Sequence, residues 1–185
     1  HNRIRINIIF LLIKFGVIMN DKLTVLTFSQ IEQKITRLAW EIYEQNFNEK
    51  EIILVGIDKK GMFLASELSK KINSISEIST NFSELLIDKS LDINNSMSLS
   101  ISDHKLKDKV VILVDDVLNS GKTLMYSSKL FLNTSLKRLS VLVLIDRKHN
   151  LFPIKADFIG LSLSTTLKEY IEVDLFSKNR GVYLS

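Results

Sequence analysis

Cysteine is absent from the 185 residues, which excludes disulfides and thiolate-held metals and fits a reducing cytoplasm. Proline occurs once, at Pro153, where its fixed φ predicts a turn. The three histidines, His1, His104 and His149, lie far apart and show no metal-ligand spacing. A membrane-spanning run is also missing, since Ile4–Ile18 is short and broken by Arg5, Asn7 and Lys14. Strong charge of one sign is absent from most of the chain. The formal net charge is +4, but residues 1–18 contribute Arg3, Arg5 and Lys14 with no acid. The remainder holds 22 basic and 21 acidic residues, so bulk charge lends little support to nucleic-acid binding by the folded part.

What remains suits one globular domain with a full core. The leader has a basic start and an apolar middle like a secretory signal, but no small-residue cleavage site follows. Met19 stands where globular patterning begins. Residues 1–18 are therefore expected to be a non-native or upstream leader, with 19–185 as a single domain and no membrane anchor.

The most informative stretch is Val110–Thr123, VVILVDDVLNSGKT. Val110–Val114 is a β-branched run of the kind that forms a strand buried on both faces. Asp115 and Asp116 follow where such a strand ends, then Asn119-Ser120-Gly121-Lys122-Thr123 and a helical stretch from Leu124 to Leu132. A helix N-terminus with unpaired N–H groups favours phosphate. Carboxylates beside it can accept sugar hydroxyls or hold a hydrated Mg2+. A nucleoside-triphosphate P-loop is the nearest competitor, because Gly121-Lys122-Thr123 matches its tail. That motif requires glycine five residues before Gly121, where this chain has Asp116.

Thr27 and Gln30 form a candidate capping box, and Phe28, Ile31, Ile35, Leu38 and Ile42 share one face of the helix that follows. Glu51–Ile57 reads as a second buried strand, ended by Asp58-Lys59-Lys60-Gly61, with a helix from Met62 to Ile72. Taken alone, the Lys-Lys-Gly bend is an ordinary solvated turn. At the carboxyl end of a parallel strand its lysines can instead neutralise a pyrophosphate. Asn73–Lys109 is the least readable segment, with a possible strand at Glu84–Ile87 and a polar connection after it. Leu139–Ile145 is a third buried strand ended by Asp146-Arg147-Lys148-His149, and 169–175 and 181–184 are expected as closing strands.

VVILVDDVLNSGKT resembles the phosphoribosyl-pyrophosphate (PRPP) motif of the type I phosphoribosyltransferases. The resemblance implies an α/β fold: a mostly parallel central sheet flanked by helices, a small C-terminal hood and a flexible arm. It implies that Asp115 and Asp116 take the ribose hydroxyls and Mg2+, and that Asn119, Ser120, Gly121, Lys122 and Thr123 hold the 5′-phosphate. Lys59, Lys60 and Gly61 resemble the family's pyrophosphate loop, with Lys60 where arginine is frequent. In the arm, Ile87-Asp88-Lys89 is the closest remnant of the family's Tyr-Arg-Asp-Asp pattern, which makes Lys89 a candidate cationic lid residue of the catalytic set. The segment Ile145–Thr166 is similar to the base-pocket segment of the bifunctional pyrimidine-operon attenuation regulators with uracil phosphoribosyltransferase activity. That likeness implies that Asp146 and Arg147 border the base.

The expected activity is transfer of the phosphoribosyl group of PRPP to uracil or another pyrimidine with release of pyrophosphate, in the cytoplasm, by a homodimer or higher homo-oligomer. An alternative from the same resemblance is a PRPP- or nucleotide-sensing regulator of pyrimidine genes that binds messenger RNA with little or no catalysis. It would need a local basic patch such as one including Lys137 and Arg138. A third is an inactive member that acts through assembly.

Overall fold

The computed structural model describes residues 22–87, 97–166 and 169–185. The leader 1–18 and the arm residues Asp88 and Lys89 lie outside the described residues. In chain order the first elements are β1 (Leu23–Thr27), α1 (Phe28–Asn46), β2 (Glu51–Ile57) and α2 (Asp58–Ile75). The middle resolves into β3 (Ser79–Ile87), β4 (Met97–Leu99) and α3 (Asp103–Leu106). Then come β5 (Val110–Leu118), α4 (Lys122–Lys129), β6 (Arg138–Asp146), β7 (Phe158–Ser162), β8 (Ile171–Asp174) and β9 (Gly181–Leu184).

The apolar runs of β2, β5 and β6 become interior strands of a six-stranded sheet ordered β4-β3-β2-β5-β6-β7. Its pairs are parallel except the short β4, which lies antiparallel on the β3 edge. Alternation along each strand divides the core. Ile52 and Leu54 face the helices α1 and α2, while Ile53, Val55 and Ile57 pack on the opposite face with Leu106, Leu124 and Phe131. Burial on both faces explains why these strands read as continuous Val/Ile/Leu runs.

Helix α1 starts on the expected capping box: the Gln30 N–H donates to Thr27 Oγ1 at 3.3 Å and the Thr27 N–H to Gln30 Oε1 at 2.9 Å. Helix α4 begins two residues before the expected Leu124 and ends at Lys129. Gly121, at φ 82°, turns the chain into it, and the tail tightens into i→i−3 bonds at Leu130, Phe131 and Leu132. Strand β3 is longer than the Glu84–Ile87 expected. Its first residues, Ser79, Thr80 and Asn81, are polar because they lie near a sheet edge, which erased the apolar alternation.

The hood is a separate antiparallel sheet ordered β1-β9-β8. It is not built from the C-terminal segment alone, since β1 supplies one edge and the Lys22–Glu172 ion pair ties that edge to β8. Five residues with one fully buried side chain, Leu26, were too short a signal beside the helix that follows.

Two glycines set how closely α2 approaches the sheet. A Cβ on Gly56 would overlap the backbone of Met62, and one on Gly61 would overlap the carbonyl of Val114. The loop opening α2 is therefore pressed against β5 at Val114, just before its carboxylates. Because the atoms around Gly56 are backbone, Gly56→Ala should cost about 1–3 kcal/mol in urea unfolding. A loss below about 0.5 kcal/mol would contradict this packing account.

Candidate functional site

Strand β5 does not end at Val114. Its ladder with β6 continues through Asp115 opposite Val143, Val117 opposite Ile145 and Leu118 opposite Asp146. The two acids therefore stand on the strand itself, at the carboxyl lip of the sheet where α/β proteins hold ligands. The Asp116 N–H donates to Asp115 Oδ1 at 2.8 Å, and Asp116 Oδ2 lies 3.1 Å from Lys60 Nζ. Burial holds the Asp115 carboxyl well above the usual carboxylate range, reinforced by the charge of Asp116 and, to a lesser degree, of Asp58.

Asp58 opens α2 in the left-handed region, at φ 51°, and its Oδ1 accepts the Ile87 N–H at 3.1 Å. That bond fastens the Lys59–Gly61 loop to the last residue of β3. Two cavities of about 480 Å3 each share Ile57, Asp58, Lys60, Asp115 and Asp116, so they form one cleft that straddles the Lys60–Asp116 bridge. The first half is walled by Asn119, Thr123, Arg147 and the hood residues Tyr170, Ile171 and Glu172. The second is walled by Lys59, Leu86 and Phe176. Phe176 stands edge-on to Phe63 of α2, with ring centroids 5.7 Å apart, so the hood reaches across this half.

A third, smaller recess of about 150 Å3 is formed by Asp115 and the bend Leu118–Leu124. Ser120 Oγ accepts the Lys122 N–H at 3.3 Å, and the first bond of α4 is Met125 N–H to Gly121 O at 2.9 Å. The N–H groups of Thr123 and Leu124 are thus left without helical acceptors at the recess. Ser120 O accepts the N–H groups of Leu151 and Phe152 at 2.9 and 3.0 Å, which locks the bend to the segment after β6.

The expected residues mostly converge. Asp115, Asp116, Asn119 and Thr123 line the first half of the cleft, Ser120, Gly121 and Lys122 the recess, and Lys59 and Lys60 the second half. Gly61 acts by close packing. Arg147 lines the cleft, but it is no solvated turn charge, being only 5% exposed. Asp146 is not on the cleft wall; its Oδ1 accepts the Lys148 N–H at 2.8 Å and shapes the turn. His149 is half-buried with Nε2 2.6 Å from Thr165 O. Lys89 lies outside the described residues. Sequence reasoning did not single out Asp58, Tyr170, Glu172 or Phe176. Asp58 was legible from its place before the lysines, whereas the hood residues come from a distant segment with no local motif.

Among the described residues no group of three or more His, Cys, Asp or Glu is arranged to hold a metal. Two neighbouring carboxylates on the lip are the donor set that suits Mg2+ shared with substrate phosphates, which this ion prefers to an all-protein cage. No helix among the described residues is long and apolar enough to cross a membrane.

The family model described as a phosphoribosyl transferase domain matches residues 24–175. The chain is 35% identical over 161 residues to the bifunctional protein PyrR of Macrococcus caseolyticus, covering 84% of this chain and 92% of that one. It is 34% identical over 167 residues to the protein of that name from Alkaliphilus metalliredigens, covering 85% and 90%. Among solved structures, a hypoxanthine-guanine phosphoribosyltransferase from Bacillus anthracis superposes with a TM-score of 0.69 at 22% identity, over 88% of this chain and 95% of that one. A hypoxanthine phosphoribosyltransferase of Trypanosoma cruzi gives 0.71 at 15% identity, over 87% and 94%. The last two likenesses concern the fold alone.

The raised Asp115 carboxyl has a sign that stability can read. A folded value above the unfolded one means that the folded state holds the proton more tightly, so the contribution is full at acid pH and is lost as pH rises through the folded value. Asp115→Asn should therefore raise the thermal midpoint of the unliganded protein more at pH 8 than at pH 5. A gain that is equal at both, or larger at pH 5, would contradict the burial of this group.

Proposed function

The chain belongs to the phosphoribosyltransferase family, and from that membership we propose that it moves the phosphoribosyl group of PRPP onto uracil or another pyrimidine, releasing pyrophosphate. The observation that carries this reading is the carboxyl lip of β5, where a carboxylate pair separates a backbone-lined recess from a lysine-bearing half-cleft. The choice of a pyrimidine rests on the resemblance of Ile145–Thr166 to the bifunctional regulators.

In this reading the 5′-phosphate sits on the bend Asn119–Thr123, met by free N–H groups at the start of α4 and by the Lys122 charge. Asp115 and Asp116 orient the ribose hydroxyls. As the bond from C1 to pyrophosphate stretches, positive charge grows on the sugar and negative charge on the leaving group, so positioning and fixed charge supply most of the catalysis. Lys60, held by Asp116 in the unliganded protein, has the leaving group as its alternative partner, beside Lys59 and the Gly61 backbone. Asp115 and Asp116 would hold Mg2+, which when bound would neutralise part of that charge. Arg147 borders the base, while Asp146 supports the turn that presents it. The cytoplasm and a homo-oligomeric state belong to the same reading, as does a single domain over residues 19–185.

A second reading is favoured by the word bifunctional in the relatives' names: the same site senses PRPP or nucleotide while another surface binds messenger RNA. The near-balanced charge outside the leader weighs against strong RNA affinity. Filter binding of an operon leader RNA across salt separates the readings. Tight binding that weakens steeply with salt would favour the regulator, and none at low salt would remove it.

The transferase reading is tested by pyrophosphate release from PRPP, Mg2+ and a panel of bases. Uracil or another pyrimidine should be the productive acceptor, and no release with any base would overturn the reading. Asp116→Asn should lower turnover by about 10- to 150-fold, the worth of a hydrogen bond to a charged group, with little loss of fold stability. Unchanged turnover would remove the ribose-binding assignment.

A further inference from the structure

Asp146 and Arg147 are the two charged residues with 9% or less of their surface exposed among the described residues. Asp146 answers its own turn. Arg147 has no carboxylate at ion-pair distance among the described residues, which is unusual for a guanidinium only 5% exposed. Its hydrogen bonds go instead to neutral acceptors from two separate parts of the site, and the Glu169 carboxylate, beyond ion-pair distance, still feels its charge. Nε and Nη2 donate to Thr165 Oγ1 at 3.1 and 3.0 Å, and Nη2 also reaches the carbonyls of Thr166 and Glu169 at 3.3 and 2.7 Å. On its other side Nη1 donates to Asn119 Oδ1 at 3.3 Å. Its own N–H donates to Leu118 O at 3.0 Å, so its backbone is fixed to the end of β5.

Those two sides are chemically distinct. Asn119 lines both the small recess and the first half of the cleft, so it stands where the two meet. Glu169, whose carbonyl accepts from Arg147 Nη2, adjoins Tyr170, Ile171 and Glu172, the hood wall of the same half-cleft. Tyr170 is itself paired with Ser185 by two backbone bonds of 2.7 and 3.0 Å, which joins this wall to the hood sheet. One planar fork thus spans the gap between the phosphate bend and the hood wall. Lysine, with a single point charge and no fork, cannot hold both sides at once.

We infer that Arg147 is a positioning residue that couples the two ligands: occupation of the phosphate bend, sensed at Asn119, sets through the Arg147 fork the hood wall against which the acceptor base binds. This rests on the phosphoribosyltransferase reading and adds to it a thermodynamic consequence. Sugar phosphate and base bind with positive cooperativity, and by linkage each tightens the other by the same factor. A guanidinium that merely held the fold together would leave that factor untouched.

The test is equilibrium binding of uracil to the full chain with and without saturating ribose 5-phosphate, which fills the bend without offering a leaving group. The wild-type protein should bind uracil at least about fivefold tighter when ribose 5-phosphate is present, and ribose 5-phosphate should gain by the same factor from uracil. In Thr165→Val, which removes the acceptor shared by Nε and Nη2, the factor should fall below about two while ribose 5-phosphate alone binds within about twofold of wild type, and in Arg147→Lys, which keeps the charge but loses the fork, the factor should fall likewise. Thermal melts identify any variant that fails to fold, and Thr165→Val decides if Arg147→Lys does. Full coupling in the folded variants, or none in the wild type, would overturn the inference and leave the transferase reading standing. Failure of ribose 5-phosphate to bind the wild-type protein would overturn the transferase reading and this inference with it.

Discussion

The site depends on one constraint: two carboxylates must be carried beyond the apolar part of the central strand without being turned into the core. The ladder between β5 and β6 does this by continuing through Asp115 and as far as Leu118. Holding them there has a cost, visible in the raised Asp115 carboxyl, and the chain offsets only part of it with Lys60 on Asp116. Asp115 has burial and two like charges against it. The same arrangement excludes a triphosphate P-loop, because Asp116 stands where that loop requires a glycine.

Around that lip the fold supplies three anchors of different origin. The bend at Asn119–Gly121 is held by Ser120 O to the chain after β6. The Lys59–Gly61 loop is pressed in by glycines that leave no room for side chains, and Asp58 ties it to β3. The hood adds the third, closing over both half-clefts through Tyr170, Glu172 and Phe176. The three anchors fix three separate parts of the sheet edge: the recess, the lysine-bearing half-cleft and the hood wall.

Much of this was legible in the sequence, for physical reasons that also mark where legibility stops. The buried strands announced themselves because burial on both faces admits little besides Val, Ile and Leu. The carboxylate pair and the bend were readable because two adjacent acids and an Asn-Ser-Gly-Lys-Thr turn follow an apolar run within a few residues. The end of β5 was not, since a strand that carries acids into a cleft loses the apolar signal before it loses its ladder. β1 escaped notice for a related reason: it is short, edge-like and merges into a helix cap. Arg147 was found as a residue, but its burial was hidden, because the acceptors at Thr165, Thr166 and Glu169 come from a segment with no charge complementary to it at ion-pair distance. Asp146, placed beside the base by the same resemblance, instead accepts the Lys148 N–H within its own turn and lies off the cleft wall.

The most direct measurement is a crystal structure of the protein with ribose 5-phosphate and Mg2+. The account requires the phosphate in the recess between Ser120 and Thr123, with the ribose hydroxyls against the carboxylates of Asp115 and Asp116. A sugar phosphate seated elsewhere, or seated there with neither carboxylate touching it, would contradict the account.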